Sequence, residues 1–274
     1  MVRDWEGRRR NMADDLHGYI ALITGGSSGL GYEMAKQLLR QGATVIIAAR
    51  GGKRLEEARE KLSASGTVYA VPMDVRDEAS VEQAAAWVAE RFDHLDMAVS
   101  NAGIGNNAPG MEDLPPDHRF YDIPVSAVRA VLDTNLMGYF LVARRFVPLL
   151  MKRGSSLVYV STSTGTITRP GQFPYGPSKA GGEAMCAILA EELRDAGIAV
   201  NVICPGGFTD TNMAPKGAAE AMRKNGRPVL PPTVLNETIS FLASPASAGI
   251  TGEKIVGKDL DAWLEARGIA FDRE

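Results

Sequence analysis

Tyr19-Ile-Ala-Leu-Ile-Thr24 runs directly into Thr24-Gly-Gly-Ser-Ser-Gly-Leu-Gly31, and this stretch decides the fold. The apolar run has the length of a strand and ends in glycines. The spacing of apolar residues then becomes helical through Met34, Leu38 and Leu39. The stretch therefore predicts a strand, a tight turn and a helix in that order.

The same alternation of strand and helix recurs along the rest of the chain. Further strands are predicted at residues 44–49, 67–71, 95–99, 157–161, 198–204 and 254–256, and helices around 55–62, 81–92, 124–150, 175–194 and 234–243. Near-continuous apolar strands of this kind belong to parallel sheets that helices cover on both faces. The sequence therefore predicts a single α/β domain at residues 18–257, with a doubly wound (Rossmann) parallel sheet of about seven strands in three α/β/α layers.

Two flanking segments differ from this domain. Residues 1–17 are polar and have no apolar period that would anchor them to a core, so they are predicted to form a flexible N-terminal tail. Residues 258–274 form a C-terminal extension that includes Ala262-Trp263-Leu264. We expect this extension either to contact another subunit or to cover the core.

Composition and charge argue against several classes of protein. A chain of 274 residues with 45% hydrophobic residues can bury one large core, and a net charge of −3 without a basic stripe argues against nucleic-acid binding. The apolar runs have strand length, so no membrane span is expected. Cys186 and Cys204 lie in apolar patterns and no secretory signal precedes the first strand, which indicates reduced thiols in a cytoplasmic protein. No metal site is expected, because the histidines are scattered: His17, His94 and His118.

The glycine-rich turn is a candidate phosphate site, because backbone N–H groups at the positive end of a helix can close on a pyrophosphate. Such turns also arise for steric reasons alone. A cofactor with a free ribose 2′-hydroxyl would require an acidic residue at the end of the second strand, but none lies between Glu33 and Glu56. The strand is followed by Arg50, whose guanidinium suits a 2′-phosphate unless it is only a solvated loop charge. NADP(H) is therefore favoured over NAD(H).

Tyr175-Gly-Pro-Ser-Lys179 places a phenol and an ammonium one helical turn apart on the same helix face. A lysine at that distance is expected to lower the pKa of Tyr175 toward working pH and make the phenol a usable proton donor. The spacing also occurs by chance in many helices, so its meaning depends on the residues around it.

Three groups of residues, in order along the chain, resemble motifs of the short-chain dehydrogenase/reductase family: Gly25, Gly29 and Gly31; Asn101, Ala102 and Gly103; and Tyr175 with Lys179. The resemblance extends from Tyr19 to about Val256. It implies an NADP(H)-dependent oxidoreductase that reduces a ketone to a secondary alcohol, or performs the reverse reaction, with Tyr175 as the acid/base.

The resemblance also implies the remaining catalytic residues. The family's hydroxyl residue lies thirteen positions before the tyrosine, which is Thr162 here, although Ser161 and Ser163 flank it and either could take the role. Asn135 in the long helix would position water for a proton relay to Lys179. The alternative for Asn135 is a bond at a helix bend or to the backbone.

The cofactor site implied by the family comprises the glycine-rich turn, the ends of later strands and the segment after strand six. Asp74 and Val75 would meet the adenine, and residues 201–206 would hold the nicotinamide carboxamide. The segment 205–211 has one residue more than the family pattern, so either Thr209 or Thr211 meets the cofactor, and we prefer Thr211. The full set is Gly25, Ser27, Ser28, Gly29, Leu30, Gly31, Arg50, Asp74, Val75, Asn101, Ala102, Gly103, Tyr175, Lys179, Pro205, Gly206, Phe208 and Thr211.

The substrate is expected to be a small-molecule carbonyl compound or alcohol. The stretch between Asn101 and Asn135 is longer than is usual in the family, and a loop there would border the substrate. At the level of the family, secondary alcohols and ketones are favoured, including 3-oxoacyl thioesters, sugars and small cyclic ketones.

Two alternative functions and one mode of assembly stay open. The chain could be a catalytically silent NADP(H)-binding sensor or scaffold, or an epimerase or dehydratase acting on a nucleotide sugar, although such enzymes usually carry a larger C-terminal domain. The family forms dimers or tetramers through the helices after strands four and five. A homotetramer, or else a homodimer, is expected, because small residues in the second of these helices permit close packing: Ala180, Gly181, Gly182 and Ala184.

Overall fold

Seven parallel strands form one sheet in the part of the chain that the structure describes. They are β1 (Ile20–Thr24), β2 (Thr44–Ala49), β3 (Val68–Pro72), β4 (Met97–Ser100), β5 (Ser156–Val160), β6 (Ala199–Cys204) and β7 (Lys254–Val256). Their order is β3-β2-β1-β4-β5-β6-β7, so the winding reverses between β1 and β4. The predicted doubly wound sheet is confirmed, and its switch point lies at the carboxyl ends of β1 and β4, where such sheets bind ligands.

The structure is a computed structural model that describes residues 15–105, 108–111, 114–115, 117–152, 155–211, 213–214 and 217–271. Residues 1–14 of the predicted tail and 272–274 of the predicted extension lie outside these ranges. Leu16, which the sequence assigned to the tail, is buried in the core, and its N–H donates to the carbonyl of Gln41 at 2.6 Å.

The helices cover both faces of the sheet, as predicted. They are α1 (Gly29–Arg40), α2 (Lys53–Ser63), α3 (Glu78–Arg91), α4 (Val125–Leu132), α5 (Gly138–Leu150), α6 (Thr164–Ile167), α7 (Tyr175–Glu192), α8 (Ala218–Lys224), α9 (Asn236–Ala243) and α10 (Leu260–Glu265). Helices α1, α2, α9 and α10 pack on one face, and α3, α5 and α7 pack on the other. Successive strand residues alternate between these two cores, as Leu22 and Ile23 of β1 do.

The long helix predicted at residues 124–150 is α4 and α5 joined by the π-helical turn Asp133–Met137. The segment Val125–Leu150 is long and apolar enough to cross a membrane by length and hydropathy alone. The expectation that apolar runs have only strand length does not hold for it. Phe146 and Leu150 of α5 are buried against the sheet, so packing in the protein core accounts for part of the apolar composition.

The C-terminal extension covers the α1 face of the core. Leu260 and Leu264 of α10 are buried. Trp263 and Phe271 both meet the ring of Phe241 in α9 edge to face, with centroid distances of 5.8 and 5.5 Å. The described part of residues 258–274 therefore covers the core of its own chain, and a contact with another subunit stays a prediction.

Candidate active site

The turns after β1 and β4 are tied together at the switch point of the sheet. Thr24 ends β1, and its hydroxyl oxygen accepts the backbone N–H groups of Asn101 at 3.0 Å and Ala102 at 2.9 Å. The side-chain amide of Asn101 donates to the carbonyl of Thr24 at 2.9 Å. The motif after β4 therefore fixes the start of the glycine-rich turn.

The glycine-rich turn leaves no room for larger side chains. Gly25 and Gly29 have φ angles of +67° and +58°, where side chains are disfavoured. A Cβ at Gly31 would lie 2.4 Å from the Asn101 amide nitrogen and 2.7 Å from the Gly25 carbonyl oxygen. Within the described residues, the Ser28 side chain makes no capping bond to α1. The N–H groups at this helix end are therefore available to an anion.

Replacing Gly31 with alanine is expected to weaken NADPH binding at least about fivefold, because overpacking of about 1 kcal/mol or more must displace Asn101 or the Gly25 backbone. Isothermal titration calorimetry would measure the dissociation constant. Gly165→Ala is the matched control, since a Cβ there meets nothing within 4 Å. Equal affinities for the two variants would show that the tight turn does not shape the cofactor site.

The expected adenosine end of the site holds two arginines. Arg50 follows β2 and is exposed. The carboxylate of Asp74 accepts from Nε of Arg76 at 3.0 Å and from its Nη2 at 2.6 Å. Hydrogen bonding to Arg76 lowers the pKa of Asp74, and the positive charge of Arg50 lowers it further. Val75 is buried against Gly138 at the start of α5.

Sequence reasoning missed Arg76, whose only signal was its position two residues after Asp74. Because both Arg50 and Arg76 act on the Asp74 carboxylate, the structure brings two guanidinium groups to one end of the predicted cofactor groove.

The predicted catalytic residues come together at the start of α7. Tyr175 begins this helix, and the Thr162 hydroxyl lies close enough to its phenol to lower the pKa of Tyr175 by hydrogen bonding. Lys179 is buried one turn later, and its ammonium donates to the carbonyl of Val160 at 2.8 Å. Ser161 instead donates to Glu183, and Ser163 shares a hydrogen bond with Thr166. Thr162, rather than either flanking serine, therefore faces the phenol.

Burial controls the two ionisable groups. It raises the pKa of Tyr175 to about 12, and the hydrogen bond with Thr162 offsets only part of this rise. Burial lowers the pKa of Lys179 to about 8, and the negative charge of Glu183 partly opposes it. The expectation that Lys179 brings the Tyr175 pKa down to working pH is therefore wrong for this structure. The ammonium lies 5.8 Å from the ring centroid, and the loss of water around the phenol outweighs it.

Tyr159 of β5 supports Lys179 from the other side, which sequence reasoning missed. Its ring centroid lies 4.9 Å from the Lys179 ammonium, and the ring stacks on Tyr139 with centroids 4.6 Å apart. A Cβ at Gly182 would lie 2.4 Å from this ring. The small size of Gly182, predicted to serve helix packing between subunits, is required inside the subunit to make room for Tyr159.

Asn135 lies in the π-helical turn and is buried. Its side chain accepts the N–H of Ile104 at 2.9 Å, donates to the Ile104 carbonyl at 2.9 Å and donates to the Ser178 hydroxyl at 3.0 Å. The Tyr159 hydroxyl donates to the Asn135 carbonyl at 3.0 Å. Through these bonds Asn135 joins the chain after β4 to α7 at a helix bend, as in the alternative. Its role in a proton relay to Lys179 stays a prediction.

Two of the remaining predicted residues have close neighbours within the predicted site. A Cβ at Gly103 would lie 3.5 Å from the Lys179 ammonium, and one at Gly29 would lie 3.4 Å from Cβ of Thr211. Thr211 therefore stands beside the phosphate turn, whereas the Thr209 hydroxyl donates to the Gly207 carbonyl. Ser27 and Leu30 are half-buried in the glycine-rich turn, Pro205 and Gly206 follow β6, and the Phe208 carbonyl accepts the N–H of Leu230.

The chain between β4 and α4 brings aromatic side chains toward the catalytic helix. Phe120 and Tyr121 are 68% and 72% exposed. The ring of Phe120 lies 6.2 Å from that of Phe173, two residues before Tyr175. The described part of this loop thus reaches the segment that precedes α7. A substrate of Tyr175 is expected to lie near this contact.

Comparison with known proteins defines the class. Residues 19–221 match the family described as short chain dehydrogenase. The chain is 32% identical over 252 residues to the 3-oxoacyl-[acyl-carrier-protein] reductase FabG of Thermotoga maritima, covering 89% of this chain and 97% of the relative. The chain therefore belongs to the short-chain dehydrogenase/reductase family, as the sequence predicted, and it is a nicotinamide-dependent oxidoreductase acting on CH–OH or carbonyl groups.

Two solved structures are similar over nearly the whole chain. One is the Pseudomonas aeruginosa RhlG/NADP active-site complex, with a TM-score of 0.75, 31% identity and coverage of 89% of this chain and 96% of that one. The other is the 3-ketoacyl-(acyl-carrier-protein) reductase from Brucella melitensis complexed with NADH, with a TM-score of 0.75, 29% identity and coverage of 88% and 97%.

Proposed function

We propose that the protein reduces a ketone to a secondary alcohol with NADPH, or catalyses the reverse reaction, with Tyr175 as the acid/base. The observation that carries this proposal is the grouping of Tyr175, Thr162 and Lys179 at the start of α7, where a Cβ at Gly103 would lie 3.5 Å from the Lys179 ammonium. A hydride donor bound in the groove would face a buried phenol that remains protonated at neutral pH because burial raises its pKa to about 12.

Each catalytic side chain has a separate task in this mechanism. The bound nicotinamide supplies the hydride that adds to the carbonyl carbon. Tyr175 gives its hydroxyl proton to the carbonyl oxygen, and Thr162 donates a hydrogen bond to the same oxygen as negative charge develops there. Lys179 binds the nicotinamide ribose, and its charge favours transfer of the phenolic proton. The ring of Tyr159 and the carbonyl of Val160 hold that ammonium in place.

We propose NADP(H) over NAD(H) because Arg50 and Arg76 lie near Asp74 at the adenosine end. Guanidinium groups bind a 2′-phosphate through charge-assisted hydrogen bonds. The carboxylate of Asp74 already neutralises Arg76, so Arg50 is the better candidate for the phosphate.

Replacing Arg50 with alanine is expected to raise the KM for NADPH about tenfold and leave that for NADH nearly unchanged, because a hydrogen bond to a charged group contributes about 1.5 kcal/mol. Initial rates with both cofactors would measure this. Lys61→Ala, which removes a positive charge in the last turn of α2, is the control. An equal change for both cofactors would contradict recognition of the 2′-phosphate by Arg50.

For the substrate, we propose ketones with an apolar part, with 3-oxoacyl thioesters as the first candidates. The Thermotoga maritima relative is named a 3-oxoacyl-[acyl-carrier-protein] reductase, and Phe120 and Phe173 supply apolar surface beside α7. Loss of NADPH absorbance across a panel of 3-oxoacyl thioesters, cyclic ketones and sugars would test the assignment. Tight NADPH binding without oxidation by any ketone would instead support a silent sensor or scaffold.

We also propose assembly as a homotetramer, or else a homodimer, through α5 and α7. Met137 and Phe140 near the start of α5 and Ile188 of α7 are exposed apolar side chains on the helices expected to meet across subunits. Light scattering at micromolar concentration should therefore give a mass that is a multiple of 29.3 kDa. Ile188→Asp should reduce it, and particles of monomer mass in the unsubstituted protein would contradict the proposal.

We propose a cytoplasmic location, because Cys186 and Cys204 are both buried free thiols. Fractionation of cells that express the protein would test this. Recovery with the membrane fraction would contradict it and would point to the apolar segment Val125–Leu150 as the membrane-binding part of the chain.

A further inference from the structure

A cluster of charged and hydroxyl side chains lies one helical turn beyond Lys179. Glu183 follows Lys179 by one turn on the same face of α7. Its Oε1 accepts from the Ser161 hydroxyl at 2.5 Å and from the Lys254 ammonium of β7 at 2.7 Å. The Lys254 ammonium also donates to the Thr164 hydroxyl at 3.4 Å. The cluster therefore joins α7, β7 and both ends of the segment 161–164.

This ion pair is unlike the exposed pairs elsewhere on the described surface. The side chains of Lys254 and Glu183 are only 25% and 22% exposed, whereas those of Arg194 and Glu191 on the same helix are 53% and 71% exposed. Partial burial removes water from both charges, so each depends on the other and on the hydroxyls for compensation. A pair of this kind holds its neighbours in place more firmly than a solvated pair does.

The segment bound by the cluster carries the predicted hydrogen-bond donor of the reaction. Strand β5 ends at Val160, and the N–H of Ser161 still donates to the Ile203 carbonyl of β6. Helix α6 begins only at Thr164. Thr162 thus lies between the sheet and the next helix, and the side chains on either side of it are held by Glu183 and Lys254.

We propose that Glu183 and Lys254 are positioning residues that hold segment 161–164 so that the Thr162 hydroxyl meets the carbonyl oxygen protonated by Tyr175. The inference rests on the proposed ketone reduction. Because a displacement of about 1 Å at a reacting centre can cost about 10²-fold in rate, a clamp on this short segment has a measurable consequence.

Single substitutions of Glu183 and Lys254 are the first test of the inference. Glu183→Gln keeps the size of the side chain and removes its charge, and we expect it to lower kcat about tenfold or more while the NADPH dissociation constant stays within about twofold. Lys254→Met should act similarly, and Lys254→Arg, which keeps the charge, should recover most of kcat. Glu191→Gln makes the same change in an exposed pair on the same helix and should leave kcat unchanged.

The effect of Glu183→Gln in a Thr162→Val background distinguishes a role in positioning Thr162 from a general loss of structure. In a Thr162→Val background, which removes the hydroxyl but keeps the shape, Glu183→Gln should lower kcat by less than about threefold. An undiminished, additive loss in that background would overturn the inference, because Glu183 would then act through another group such as Lys179. A loss confined to NADPH affinity or to melting temperature would overturn it as well.

A measurement without turnover distinguishes this inference from the proposed function. Backbone hydrogen exchange in peptides covering residues 161–168 should be faster in Glu183→Gln and Lys254→Met than in the unsubstituted protein, and unchanged in Glu191→Gln. Unchanged exchange in the first two variants would overturn the clamp even in an active enzyme. An unsubstituted protein that reduces no ketone would contradict the proposed function, whatever the exchange pattern is.

Discussion

Replacing Tyr175 with phenylalanine is expected to lower kcat for ketone reduction by about 10²–10⁴-fold, the usual contribution of a general acid. The substitution removes only the hydroxyl that Thr162 contacts, and the ring remains beside the ammonium of Lys179. The NADPH dissociation constant should therefore stay within about twofold. Steady-state kinetics and calorimetric titration would measure the two effects separately.

Tyr69→Phe provides the matched control for this substitution. Tyr69 lies in β3 and packs edge to face with Trp87 and Phe92, on the strand at the far edge of the sheet. It should leave kcat unchanged. If Tyr175→Phe retained the full rate, another group would have to supply the proton, and the assignment of Tyr175 would be wrong. Equal loss of kcat and NADPH affinity would point to damage of the groove instead.

Replacing Gly182 with alanine is expected to lower the free energy of unfolding by up to about 3 kcal/mol, the range for overpacked cores. The new Cβ would lie 2.4 Å from Cε1 and Cζ of Tyr159. The Tyr159 ring is buried and stacked on Tyr139, so it cannot rotate away from this contact. Because the Lys179 ammonium lies 4.9 Å from the centroid of that ring, kcat should fall as well. Urea unfolding and steady-state kinetics would measure both effects.

Gly181→Ala is the control for this prediction. A Cβ at Gly181 would lie 3.1 Å from the end of the Leu136 side chain, which can rotate, and alanine stabilises a helix interior relative to glycine. We therefore expect unchanged or slightly increased stability for it. In a Tyr159→Val background, Gly182→Ala should cost much less than in the unsubstituted protein. An equal cost in both backgrounds would exclude the ring of Tyr159 as the obstacle.

The fold was predictable because its signals are local. Each strand is a short apolar run, each turn carries its own glycines, and the alternation of strand and helix restricts the sheet to a parallel one. Short helices without strong apolar spacing, such as α6 and α8, were not predicted. The π-helical turn Asp133–Met137 was also missed, because such turns are rare single-turn insertions inside α-helices and the sequence was read as one continuous helix.

The site was predictable where a motif fixes a residue and not where packing does. The spacing of Tyr175 and Lys179 lies within one helical turn, and the family resemblance implies Thr162 from its distance to Tyr175. Tyr159 of β5 and Gly182 of α7 are far apart in the sequence and meet only in the folded chain. The sequence alone therefore does not show their contact. The pKa of Tyr175 depends on how much water the fold removes from around the phenol. The sequence does not give this burial, so it could not show that burial outweighs the lowering of the pKa expected from Lys179.

The pairing of Glu183 with Lys254 has a consequence for biosynthesis. The two residues are 71 positions apart, and Lys254 opens β7, which joins the sheet only at its edge beside β6. Translation delivers the glycine-rich turn and the whole of α7 before Lys254 leaves the ribosome. A nascent chain that has reached β6 therefore contains Thr162 and Glu183 but not yet the lysine that pairs with Glu183, so this contact can form only late in synthesis.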